Sequence, residues 1–137
     1  MDKLRITAGG HTFAAHFETA AAPKTCAVFK KLLPYYNRII HVRWSGEGVW
    51  IPLGELDLGL SYENHTSYPA PGQFIVYPGG ISETEILLAY GGVRFASKVG
   101  QLAGNHFITI TSDLDKLYEL GRAVLYEGAK PIRIEAA

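Results

Sequence analysis

The stretch AAAPKTCAVFKKLLP, residues 20–34, decides how the chain is organised. Three small residues lead into Pro23, which suits the first turn of a helix because that position has no intrahelical use for an N–H. Cys26, Phe29, Leu32 and Leu33 then fall on one stripe at helical spacing. Lys30 and Lys31 complement the negative C-terminal end, and Pro34 disfavours helical geometry at Leu33. The spacing predicts a helix of about three turns with one apolar stripe, which needs a partner surface.

That surface comes from short strands on either side. In LRITA, Leu4, Ile6 and Ala8 alternate; Gly9-Gly10 supplies a turn; in TFAAHF, Phe13, Ala15 and Phe17 alternate, so a hairpin precedes the helix. After it, RIIHVRW and VWIPL read as a second hairpin around Ser45-Gly46-Glu47-Gly48. Ile40, Val42 and Trp44 would face in, with His41 and Arg43 on the polar side. Residues 53–72, rich in turn formers with Pro69 and Pro71, read as a surface loop. QFIVY and EILLAY are strands split by PGGISE, GGVRFASKVG is an irregular connection bounded by glycines, and HFITIT is a strand. Ser112 and Asp115 resemble a capping box for a second helix with Leu114, Leu117, Gly121 and Val124 on one face. Gly128 stops that helix and PIRIE closes the chain as a strand. Seven or eight strands and two helices, mainly antiparallel, imply a closed or nearly closed β-barrel with a helix over each open end, or else a flattened sandwich.

Bulk properties remove several classes of function. At 137 residues the chain fits one domain spanning 1–137. Lys and Arg total 13 and Asp and Glu total 13, so no net field draws in nucleic acid or an anionic membrane. MDKLRITAGG lacks the basic start and apolar run of a secretory signal, and no segment reaches the apolar length that spans a bilayer. A cytoplasmic protein is expected. Cys26 is the single cysteine, which excludes an intrachain disulfide and a cysteine-built metal site, and its place on the apolar stripe makes it a core thiol. His11, His16 and His41 lack ligand spacing, so neither a metal nor another cofactor is expected.

The order of elements resembles the cyclophilins. Pro23, Lys24, Thr25 and Phe29 match the helix that follows the first hairpin in that family. PGQFIVYPGGISETEILLAY has the shape of its strand, glycine-proline turn and strand unit, and LAGNHFITI is similar to its Leu-x-Gly-x-His segment and following strand. Together these cover most of the chain. The length and RFASKVGQLAGNHF look closer still to bacterial cyclophilin-like proteins of unknown function. The resemblance implies a cyclophilin-like closed antiparallel barrel of about eight strands capped by two α-helices.

It also suggests a site. The position matching the histidine of the cyclophilin proline pocket is His106; the alternative is that its imidazole only hydrogen-bonds a nearby loop, as buried polar groups must. Prolyl isomerisation has a barrier of roughly 18 to 20 kcal/mol, which a guanidinium bonded to the prolyl nitrogen lowers. Arg43 lies on the strand where the family places that arginine, with Arg38 competing and a solvated hairpin face as the plainer reading. Departures are substantial: VWIPL has Trp50 but no glutamine, EILLAY leaves Leu88 or Tyr90 to supply an apolar floor, and the tryptophan ahead of the histidine segment is missing near Gln101. Arg94, flanked by glycines, offers a guanidinium and backbone N–H groups to an anion, or is an ordinary loop residue. Glu83 and Glu85, two apart beside a turn, could suit acid–base chemistry but read as solvated carboxylates.

Arg43, Trp50, Tyr77, Tyr90, Arg94 and His106 are therefore the candidate ligand-binding residues, and a cleft shared by them would be cationic and aromatic. The expectation is a protein that binds, or binds and acts on, a small anionic or amide-containing metabolite in the groove equivalent to the proline pocket. The alternatives are a peptidyl-prolyl isomerase taking a proline-containing peptide, and an interaction module without chemistry.

Overall fold

Residues 2–137 are described by a computed structural model. The first hairpin pairs β1 (Lys3–Ala8) with β2 (His11–Phe17), Ile6 opposite Phe13, and its alternation buries Leu4, Ile6, Ala8, Phe13, Ala15 and Phe17 as expected. Helix α1 (Pro23–Leu32) follows, with Pro23 in its first turn and Leu33 already extended at its C-cap. Then come β3 (Tyr35–His41), β4 (Gly46–Gly54), β5 (His65–Thr66), β6 (Gln73–Tyr77), β7 (Thr84–Val93), the miniature hairpin β8 (Ala96–Ser97) and β9 (Gly100–Gln101), β10 (Gly104–Ile110), α2 (Leu114–Glu127) and β11 (Lys130–Ala136).

Eight strands close a ring in the order β2-β1-β11-β3-β4-β7-β6-β10, with β10 returning to β2 through Ile108–Phe17, Thr109–His16 and Ile110–Ala15. Every pairing is antiparallel. Closure leaves the principal strands no free edge on which another chain could pair. The fold is thus the closed barrel with two helices, not the flattened sandwich.

The interior is filled by one side chain in two along each strand, and the helices seal the ends. At one end Phe29 of α1 lies against Phe107, ring centroids 4.6 Å apart, and against Tyr35 at 6.3 Å. At the other, α2 lies over Tyr90, and its glycine permits the approach: a Cβ on Gly121 would stand 2.2 Å from the Tyr90 ring. Gly128 ends α2 at φ 96°, donating its N–H to Val124 O, a backbone that glycine alone adopts without strain. No helix is long and apolar enough to cross a membrane.

Several local expectations are corrected. Leu32 is 41% exposed, so the α1 stripe is Cys26 and Phe29 with Leu33 beyond its end. Leu114 is likewise exposed, and Leu120 takes its place beside Leu117, Gly121 and Val124. Ser112 is no cap: its Oγ accepts from Ala14 N, and Asp113 is the N-cap in a left-handed conformation without a side-chain bond. β3 stops at His41, and its inward residues are Ile39 and His41, while Trp44 is 57% exposed in the turn. His41 turns inward because both nitrogens are satisfied there: Nδ1–H donates to Val42 O at 2.8 Å and Nε2 accepts from the Tyr90 hydroxyl at 2.7 Å.

The long loop after β4 is tied down more firmly than its composition suggests. Glu63 Oε2 accepts from both Thr25 N and Thr25 Oγ1 at 2.6 and 2.7 Å, and the fully buried Asn105 side chain bonds Thr25, Ser61 O and Glu63 N. Leu58 and Leu60 pack on the core, so the loop helps α1 close its end of the barrel. Satisfying buried polar groups in this way is the condition for keeping them.

Candidate functional site

The barrel carries a second apolar layer outside. Residues directly opposite across paired strands share a face, and the register runs Ile40, Trp50, Leu87, Ile75, His106 across β3, β4, β7, β6 and β10. The segment after β7 folds back over this row: Phe95 and Leu102 are buried against Ile75, Tyr77 and Leu87, with Val42, Trp50 and Val93 at the margin. Ser45, 4% exposed, fastens the cover, its Oγ bonding both N and O of Ala96 at 3.0 Å while its carbonyl accepts from Arg94 N. Phe95 N reaches Ser67 O at 2.7 Å. The region expected to be an irregular connection is therefore an ordered lid on the sheet.

A cleft of about 250 Å³ opens where this lid meets the β3–β4 turn. Arg43, Trp44 and Trp50 form one wall, Ala96, Ser97 and Lys98 another, and Ser82, Glu83 and Glu85 a third. Its size falls just below the usual range of ligand pockets, roughly 300 to 1,000 Å³. Glu85 is the unusual member. It is 6% exposed, faces Tyr77 across β6 and Pro52 across β4, and burial, with Glu83 adding like charge, pushes its carboxyl up to about 8. No hydrogen bond offsets that burial. Trp50 Nε1 is also buried without a partner among the described residues. A closed core rarely leaves such groups unmet, and perturbed carboxyls in clefts mark functional sites.

The six candidates are not brought together. Arg43 and Trp50 line the cleft. Tyr77 lies beneath the same outer layer, but its hydroxyl is taken by Ile81 N at 3.1 Å and Ser82 N at 3.4 Å. Tyr90 points the other way, into the barrel under α2, as does Leu88, so the outer-face residue of that strand is Leu87. Arg94 is exposed outside the cleft lining, and Arg38 is exposed on β3. The carboxylate read as solvated, Glu85, is the buried one, and Lys98 and Ser82 were not singled out at all.

His106 belongs to a separate polar cluster on the barrel's closing seam. Thr109 Oγ1 donates to Glu18 Oε2 at 2.6 Å, which leaves the Thr109 oxygen to accept from His106 Nε2 at 2.8 Å; His16 Nε2 meets the same Glu18 oxygen at 2.8 Å. Burial holds the His106 imidazole below its ordinary value. Burial would raise the Glu18 carboxyl, but the bonds from Thr109 and His16 keep it below the usual carboxylate range. No group of His, Cys, Asp and Glu among the described residues is arranged to hold a metal ion. His106→Ala is expected to cost about 1 to 2 kcal/mol in urea unfolding, the loss of one part-buried hydrogen bond, and to leave binding in the Arg43 cleft unchanged in titration.

Comparison with known proteins follows the same outline. Residues 4–136 match the family described as "Protein of unknown function (DUF3830)". The chain belongs to this family. No curated protein matches the sequence. Among solved structures it is similar to McbB in complex with tryptophan (TM-score 0.74, 19% identity, 97% of this chain and 44% of that one). It is also similar to the hypothetical protein AF2241 from Archaeoglobus fulgidus (0.62, 16%, 98% and 94%). A third is a Cryptosporidium parvum cyclophilin-type peptidyl-prolyl isomerase with the dipeptide Ala-Pro (0.59, 15%, 98% and 98%). The chain spans less than half the length of the first of these. At such identities the likeness is one of fold: this member of the family has the cyclophilin-like barrel.

Proposed function

We propose that the protein binds a small anionic or amide-containing molecule in the cleft between Arg43, Trp50, Glu85 and Lys98. One observation carries this reading: Glu85, a residue only 6% exposed whose carboxyl makes no hydrogen bond to the protein, lines an open cleft beside two cations that have no ion-pair partner among the described residues. Polar groups that the protein leaves unpaired at a cleft are met by a ligand at low cost in reorganisation. One of the similar structures is a complex with tryptophan and another was obtained in the presence of the dipeptide Ala-Pro, which supports small-molecule binding as a use of this fold.

A thermal-shift panel of small carboxylates and amides tests the reading. At a hundredfold excess over its dissociation constant a ligand adds about 2.7 kcal/mol of stability. At least one carboxylate is expected to raise the melting temperature of the wild type and to lose that effect in Arg43→Ala. A panel without a single shift, or shifts that ignore Arg43→Ala, would overturn it.

The peptide reading is weaker because the chain's own Phe95 and Leu102 fill the outer apolar row where an extended peptide would lie. Turnover in a proline-peptide isomerisation assay is expected to stay below about 10⁴ M⁻¹s⁻¹ in kcat/KM, the lower end for efficient enzymes. A higher value would restore the isomerase.

A further inference from the structure

The cleft is polarised, and its charges are kept apart. Arg43 comes from the β3–β4 turn and Lys98 from the tip of the β8–β9 hairpin, whereas Glu83 and Glu85 come from the start of β7. Although all four line one cavity, no ion pair joins either cation to either carboxyl among the described residues. A protein whose cleft served only anions would gain from fewer carboxyls there, and one serving only cations from fewer basic groups. Glu85 is the telling member, because it is buried with no donor of its own while a second carboxyl stands two residues away.

Building on the small-molecule reading of this cleft, we infer that its ligand is a zwitterion: an amino-carboxylate whose ammonium is received by Glu85 and Glu83 and whose carboxylate is received by Arg43 and Lys98. The ammonium supplies the donors that Glu85 lacks and offsets the charge the two carboxyls carry once Glu85 ionises. Trp44 and Trp50, on the wall beside Arg43, offer indole surface to a planar or aliphatic side chain of the ligand. At about 250 Å³ the cavity is on the scale of a single amino acid.

The assignment has a protonic signature. The groups facing Glu85 are Tyr77 from β6, Glu83 from its own strand approach, and across the cleft Arg43 and Lys98. With its carboxyl pushed up to about 8, Glu85 is mostly protonated at pH 7 in the empty cleft. An arriving ammonium favours the carboxylate, so binding expels the proton; a ligand bound only through its own carboxylate expels none.

Calorimetric titration at pH 7, in buffers of different ionisation heat, distinguishes these outcomes using L-tryptophan, its des-amino analogue 3-indolepropionate and its decarboxylated analogue tryptamine. L-Tryptophan is expected to bind at least about tenfold more tightly than either analogue and to release about one proton per ligand. Glu85→Gln, confirmed as folded by its melting curve, is expected to weaken L-tryptophan about tenfold or more and to leave 3-indolepropionate within about twofold. Glu83→Gln provides a second, more exposed removal of the same charge and is expected to move L-tryptophan in the same direction. If 3-indolepropionate or another carboxylate binds while L-tryptophan binds no better and releases no proton, the zwitterion assignment is wrong and the cleft reading stands. If no carboxylate, amide or amino acid binds, both fall.

Discussion

Glu85→Gln and the wild type are expected to unfold at the same free energy at pH 4, with the variant far more stable at pH 9. The Glu85 carboxyl is raised from its ordinary value to about 8 in the folded chain, by burial first and by Glu83 second. Below its unfolded value both states hold the proton and the side chain is neutral to stability. Between that value and about 8 the folded state retains a proton that the unfolded state has lost, so each pH unit gained costs the wild type about 1.4 kcal/mol. By pH 9 the accumulated loss is on the order of 5 kcal/mol, comparable with the whole stability of a small domain. Glutamine keeps the shape and cannot ionise, so the slope disappears. Urea unfolding of both proteins from pH 4 to pH 9 measures it; parallel curves would mean that Glu85 is solvated and that the cleft lacks its central group.

Phe29→Ala is expected to destabilise by about 3 to 5 kcal/mol, the range for deleting a buried aromatic ring and leaving a cavity. Phe29 is 3% exposed and is wedged between Phe107 of β10 and Tyr35 of β3, so it joins α1 to two strands that are not neighbours in the barrel. With Leu32 exposed, little else on the helix replaces it. Chemical denaturation at pH 5, where Glu85 still holds its proton in the folded state, isolates the effect. A loss below about 1 kcal/mol, typical of surface substitutions, would mean that α1 is not anchored through this ring.

The contrast between these residues shows what could be read from the chain. Phe29 was legible because α1 is amphipathic with Pro23 and Pro34 setting its limits, and β1, β2 and β11 alternate cleanly because one side of each meets the core. The neighbouring strands are covered on both sides. Thr84–Tyr90 is buried without interruption, since the Phe95–Leu102 segment packs on the outer face. A period of two vanishes when both faces are dry, which is why Leu87 could not be told from Leu88 and why His41 was assigned outward. Glu85 looked solvated because PGGISE precedes it, yet its burial comes from strands distant in sequence. The available signal was a carboxyl at the head of an unbroken apolar run opposite QFIVY. Local composition cannot report a cover supplied from elsewhere, and the Ser45 bonds that hold this one down join residues about fifty apart.

The pairing of Leu4 with Ala136 sets the first and last strands side by side, and Ala137 N reaches Lys3 O at 3.0 Å. The ring of strands is thus closed by the pairing of β1 with β11. A short linker from β11 to β1, with the chain opened at the exposed Gly10 turn, would keep the same strand neighbours. Neither β1 nor β11 contributes a residue to the cleft. By the same geometry the barrel can be entered and left at a single place, since β1 and β11 run side by side.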